Sequence, residues 1–158
     1  MPVVVLNKLK LHRVMTKARA TILLFLTIIS LQAQEWNTDY KKAKETASAE
    51  NKTVILVFQG SDWCAPCMKL DREVWSTEKF KSYAKDHYVM VKADFPRKKK
   101  NALPIGQQEQ NNSLAEMYNR EGYFPLVVVL SSKGELKGKT GYKKLNPEAY
   151  IQHLNSFK

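Results

Sequence analysis

Cys64 and Cys67 are the only cysteines in this 158-residue chain, and they stand two residues apart in Trp63-Cys64-Ala65-Pro66-Cys67. That spacing lets a disulfide close across one helical turn. Where such a turn begins a helix, the first sulfur lies among unpaired backbone N–H groups, which favour its thiolate. The chemistry implied is thiol-disulfide exchange. A purely structural disulfide is a poor alternative, because so small a loop contributes only about 2 kcal/mol, against about 4.7 kcal/mol for a 100-residue loop. A zinc or copper site needs more ligands, and His87 and His153 are isolated, at positions that read as a helix end and a helix face. Neither a metal nor a cofactor is expected.

The elements that position this pair follow from hydrophobic periodicity. Residues 53–58 form a β-branched apolar run that reads as a buried strand, and residues 68–75 read as a helix. Cys64 therefore falls at a strand-to-helix junction, with Pro66 in the first turn, where a missing N–H costs nothing. Ser76 is the predicted cap of a short helix burying Phe80, Tyr83 and Ala84, which leads to a strand from Tyr88 to about Ala93. Strands joined by a helix are normally parallel and right-handed, so Asp94 should emerge at the same sheet edge as Cys64. Residues 96–112 read as a long loop flanking that edge, and its run Arg97-Lys98-Lys99-Lys100 reads first as a hydrated basic stretch.

The remaining elements complete a sheet. Trp36, Tyr40, Ala43 and Ala47 recur at helical spacing, with Asn37 or Thr38 as the cap and Asn51 near the stop. Ser113 and Glu116 form a capping box for a helix over residues 113–119 with Leu114, Met117 and Tyr118 on its inner side. The run 126–130, a turn at Ser132-Lys133-Gly134 and a shorter strand 136–140 make a hairpin. Asn146-Pro147 opens a last helix that buries Tyr150, Ile151, Leu154 and Phe157. After the initial helix the order is β-α-β-α-β-β-α, an α/β fold in which a central mixed sheet is covered by helices on both faces.

The Trp-Cys-Ala-Pro-Cys motif after a buried strand, Gly122-Tyr123-Phe124-Pro125 before a second apolar strand, and Gly141 before the last helix together resemble the thioredoxin superfamily from about Trp36 onward. Ser61-Asp62-Trp63-Cys64 and residues 68–74 are most similar to exported bacterial thioredoxin-like proteins and to the C-terminal domain of the reductant conductor DsbD. The resemblance implies a thioredoxin-like fold in which Pro125 is cis and packs against the cysteine pair. It also implies that Cys64 and Cys67 are catalytic and that Trp63, Pro66, Phe124 and Pro125 meet substrate. Tyr123 joins Trp63 in an apolar rim. The aspartate that thioredoxin carries six positions before its first cysteine is Phe58 here, leaving the proton route of Cys67 open, and Lys92 matches a family lysine near that acid. The Ala-Pro dipeptide resembles the Gly-Pro of reducing thioredoxins, so reduction is favoured. An oxidase or isomerase, or a binding module with incidental redox activity, is the alternative.

Residues 1–33 read as a signal peptide and 34–158 as the domain. Lys8, Lys10, Arg13, Lys17 and Arg19 precede an apolar run from Ala20 to Leu31, with Ala33 at a cleavage point and Met15 as an alternative start. Periplasmic or other export is expected, or a membrane anchor if the segment stays uncleaved. Five of the 26 basic residues and none of the 15 acidic ones lie in this segment, so the net charge falls from +11 to +6 beyond it. An exported basic domain points to acidic partners or a membrane surface, and away from nucleic acid. The expected partners are protein or peptide disulfides and an electron donor, a membrane reductant conductor being one candidate, with the chain acting as a monomer.

Overall fold

The structure is a computed structural model that describes residues 35–157. The signal-peptide reading of residues 1–33 lies outside the described residues. A five-stranded sheet in the order β1-β3-β2-β4-β5 is formed by β1 (Trp36–Asn37), β2 (Thr53–Gln59), β3 (Tyr88–Asp94), β4 (Leu126–Leu130) and β5 (Leu136–Thr140). β1, β3 and β2 run parallel, whereas β4 and β5 are antiparallel to their neighbours. The sheet is mixed, as expected, and its central strands are apolar on both sides because both faces are covered.

Strand alternation sorts the core into two layers. Ile55 and Val57 of β2 point to one face, where they meet Leu70, Val74, Trp75, Phe80, Tyr150 and Leu154. These come from α2 (Ala65–Leu70) with its continuing π-helical turn (Asp71–Trp75), from α3 (Glu78–His87) and from α5 (Pro147–Asn155). Val54, Leu56 and Phe58 point to the other face, against Ala43 and Ala47 of α1 (Tyr40–Glu50) and Leu114 of α4 (Ile105–Tyr118). Among the described residues no helix is long and apolar enough to cross a membrane.

The structure departs from the expected elements at several places. Trp36 does not begin the first helix; it pairs with Met90 as an edge strand, and α1 starts at Tyr40 with the Asp39 carboxylate accepting from Lys42 N at 3.0 Å, in place of Asn37 or Thr38. Thr77, not Ser76, caps α3 by accepting from Phe80 N, and the Ser76 hydroxyl instead donates to Asp71. The long loop 96–112 is shorter than expected, because α4 already begins at Ile105. Ser113 therefore lies mid-helix and caps nothing. The amides explain this early start: Asn111 Nδ2 donates to Asp94 O at 2.8 Å, and Gln110 accepts from Tyr40 N and donates to Thr38 O. Met117 is exposed, so Leu114 and the half-buried Tyr118 form the inner side of α4.

Candidate active site

β2 delivers the chain to a turn in which Cys64 N donates to Gly60 O at 2.9 Å. Glycine is required at position 60, because a Cβ there would overlap the Trp63 indole folded back over it. The turn is tied to the end of β3 by Asp94, whose carboxylate accepts from Ser61 N at 2.9 Å and Ser61 Oγ at 2.6 Å. Cys64 is the N-cap of α2, with extended backbone, and its sulfur accepts from Cys67 N at 3.2 Å. The two sulfurs form a disulfide with the Cα atoms 5.2 Å apart. Exposure does not separate them: Cys64 is 3% and Cys67 5% exposed in this oxidised form. Both residues are nearly inaccessible in this form. What distinguishes the two is position, Cys64 at the cap and Cys67 within the first turn.

The second wall of the site precedes β4. Asn119 is buried and clamps the approach, accepting from Tyr123 N and donating to Tyr123 O, both at 2.9 Å. The Phe124-Pro125 bond that follows is cis, as the resemblance implies. Pro125, Phe124 and Pro66 line one cavity of about 560 Å³. Its far side is Tyr142 and Gly141, whose carbonyl accepts from the buried Tyr150 hydroxyl at 2.9 Å. Trp63 does not line this cavity. Its ring meets Phe124 edge-on at 5.3 Å, its Nε1 donates to Phe95 O at 2.7 Å, and the Arg97 guanidinium covers it at 3.7 Å. Phe58 stacks on Phe95, which meets Phe124 in turn, so a ladder of rings runs from the sheet to the motif.

Tyr142 is a site residue that periodicity did not expose. Its hydroxyl donates to Glu73 on the π-helical turn, which holds the Glu73 carboxyl below the usual range and raises the Tyr142 phenol. A second group lies about Cys67: Lys92, which the resemblance singled out, lines a cavity of about 230 Å³ with Cys67, together with Gln59 and Asp71, which the sequence did not flag. Lys92 Nζ lies 4.9 Å from the Trp36 ring centroid. Phe58 belongs to the opposite sheet face, so Cys67 is faced by polar groups and not by that ring. Among the described residues no group of three or more His, Cys, Asp or Glu side chains is placed to hold a metal.

A helix-capping cysteine pair and a cis-proline on this mixed sheet define the thioredoxin-like class, and a family model described as Thioredoxin-like matches residues 35–132. The chain belongs to that family and is a thiol-disulfide oxidoreductase. It is 32% identical over 122 residues to the disulfide bond reductase DsbH of Chlamydia pneumoniae, covering 77% of this chain and 71% of that one. A solved structure of a DsbH oxidoreductase superposes with a TM-score of 0.73 at 30% identity, over 82% of this chain and 88% of that one. The oxidised C-terminal domain of DsbD from Neisseria meningitidis shares the fold, with a TM-score of 0.53 at 16% identity over 75% and 92% of the two chains.

Proposed function

We propose that the protein is an exported reductase of protein disulfides that works through Cys64 and Cys67. The observation that carries the reading is the Cys64 sulfur at the cap of α2, receiving the Cys67 N–H beside the cavity of Pro66, Phe124 and Pro125. A sulfur so placed is stabilised as thiolate once the disulfide is opened. In the dithiol form the Cys64 thiolate attacks one sulfur of a substrate disulfide, and the other sulfur leaves as a thiol. Cys67, after losing its proton, attacks Cys64 Sγ, releasing the second substrate thiol and closing the disulfide seen here. Two electrons pass to the substrate, and a dithiol donor must return them. The substrate segment lies extended along Pro125, with an apolar side chain in the cavity bounded by Phe124, Pro66 and Tyr142. Trp63 acts from beneath, by holding Phe124.

Reduction as the direction is supported by the Ala-Pro dipeptide and by the name of the DsbH relative. Export is supported by the basic and apolar segments of residues 1–33. The Cys67→Ser variant tests the division of labour. It should accumulate mixed disulfides with natural substrates, whereas Cys64→Ser should trap few. Equal trapping by both would remove Cys64 from the role of nucleophile.

A further inference from the structure

The 95–104 segment carries more organisation than a hydrated loop needs. Asp62, two residues before Cys64, accepts from Arg97 N at 2.9 Å, Lys98 N at 3.0 Å and Asn101 Nδ2 at 2.8 Å. The Arg97 N–H above all holds the Asp62 carboxyl below the usual carboxylate range. Trp63 adds its bond to Phe95 O and its stack under Arg97. The segment is therefore fastened to the redox motif itself.

This fastening seats Arg97 on the Trp63 ring and sets Lys98 near the Asp62 carboxylate, and it leaves the run without an ion pair. The carboxylate that faces the run is occupied by backbone N–H groups and one amide, and none of Arg97, Lys98, Lys99 or Lys100 forms an ion pair with a described residue. All four are exposed. Between them and the start of α4 lies a groove of about 430 Å³ whose lining includes Pro96, Leu103 and Ile105. Ile105 is 80% exposed, an unusual position for a branched apolar side chain, and Glu109 is the one acid in the lining. Cations and apolar side chains lining one groove complement a peptide in which carboxylates alternate with apolar side chains. Hydrated cations alone do not call for apolar side chains beside them.

We infer that this groove is a docking site for an acidic, apolar-anchored segment of the protein with which Cys64 exchanges disulfides. The inference rests on the exchange reading above and adds the partner's chemistry. Docking there brings the partner to the edge where Cys64 lies, and the cations speed encounter from within the screening distance of about 8 Å at physiological salt.

The test uses a fluorescein-labelled, cysteine-free peptide of alternating glutamate and leucine, titrated against the oxidised protein by anisotropy. The Lys98→Glu, Lys99→Glu, Lys100→Glu triple variant should bind at least about tenfold more weakly at low salt, and the loss should shrink as salt is raised. Ile105→Ser should weaken binding several-fold at every salt concentration. A peptide with glutamine replacing glutamate should bind about tenfold more weakly to the parent. Both variants should reduce a small neutral disulfide at the parent rate. Equal binding by parent and triple variant would overturn the inference. So would peptide binding that ignores these changes while phosphatidylglycerol vesicles bind through the same lysines. Because the peptide has no sulfur, failure of docking is separate from failure of exchange, which the small disulfide reports.

Discussion

Resolution of the mixed disulfide should depend on the charge of Lys92. Lys92 and Asp71 face Cys67 across the 230 Å³ cavity, one cation and one anion, while Phe58 lies on the other side of the sheet. At an effective dielectric of about 20, a unit charge about 5 to 10 Å from a thiolate acts on it with roughly 2–3 kcal/mol. Exposure and salt cut this by about half, leaving roughly one pKa unit. The Lys92→Met variant keeps the apolar stem and removes the cation, so the Cys67 thiol should titrate about one unit higher. Thiolate at pH 7 then falls about tenfold. The more basic thiolate is about threefold more nucleophilic, so net resolution slows by about three- to fourfold. Asp71→Asn removes the opposing charge and should shift the profile the other way. The assay is the single-turnover decay of a preformed Cys64 mixed disulfide from pH 5 to 10, with folding checked separately. An unmoved profile in Lys92→Met would refute the electrostatic reasoning. Slower resolution at every pH in Asp71→Asn would make that carboxylate the proton acceptor instead.

Three shorter predictions follow from other contacts. Phe58 is fully buried, so Phe58→Ala should cost about 3–5 kcal/mol and lower Tm by roughly 10–20 °C, whereas Phe58→Leu should cost under about 1.5 kcal/mol; calorimetry separates them. Tyr142→Phe should return the Glu73 carboxyl toward its ordinary value. Because Glu73 is depressed in the fold, its contribution is present above the unfolded value of about 4.3 and fades as pH falls through the folded one. The stability gap between parent and variant should therefore narrow from pH 6 to pH 3 in denaturant titrations. N-terminal sequencing of protein recovered from the exporting cell should begin near Gln34, and an intact start in the membrane fraction would indicate an anchor.

What could be read in the chain depended on how each residue earns its place. The 53–58 run, the cysteine spacing and Pro125 stand out because a continuous β-branched apolar run and rare residue types leave few other arrangements. The start of α4 was hidden because Gln107, Gln110 and Asn111 hold it through side-chain amides bonded to Thr38, Asp94 and each other, which leaves no apolar stripe. Trp36 fell into helical register with Tyr40 by coincidence, since two residues of edge strand are too short to show alternation. Tyr142 lines one cavity of the site and Asp71 and Lys92 another, and their placement depends on tertiary packing that no local pattern reports; of the three only Lys92 was singled out, through the resemblance. Asp71 had one weak signal, its place one turn after Cys67 on the same helical face.

The central claim is a reducing dithiol at Cys64 and Cys67, and its most direct test is the equilibrium potential of the pair. Oxidised protein is equilibrated in graded dithiothreitol couples, free thiols are trapped by alkylation, and the two-electron midpoint is read from the reduced fraction. The account predicts a midpoint close to the about −270 mV of thioredoxin, low enough to drive substrate disulfides open. A midpoint near the about −120 mV of a strong periplasmic oxidant would contradict it, making the protein a donor of disulfides instead.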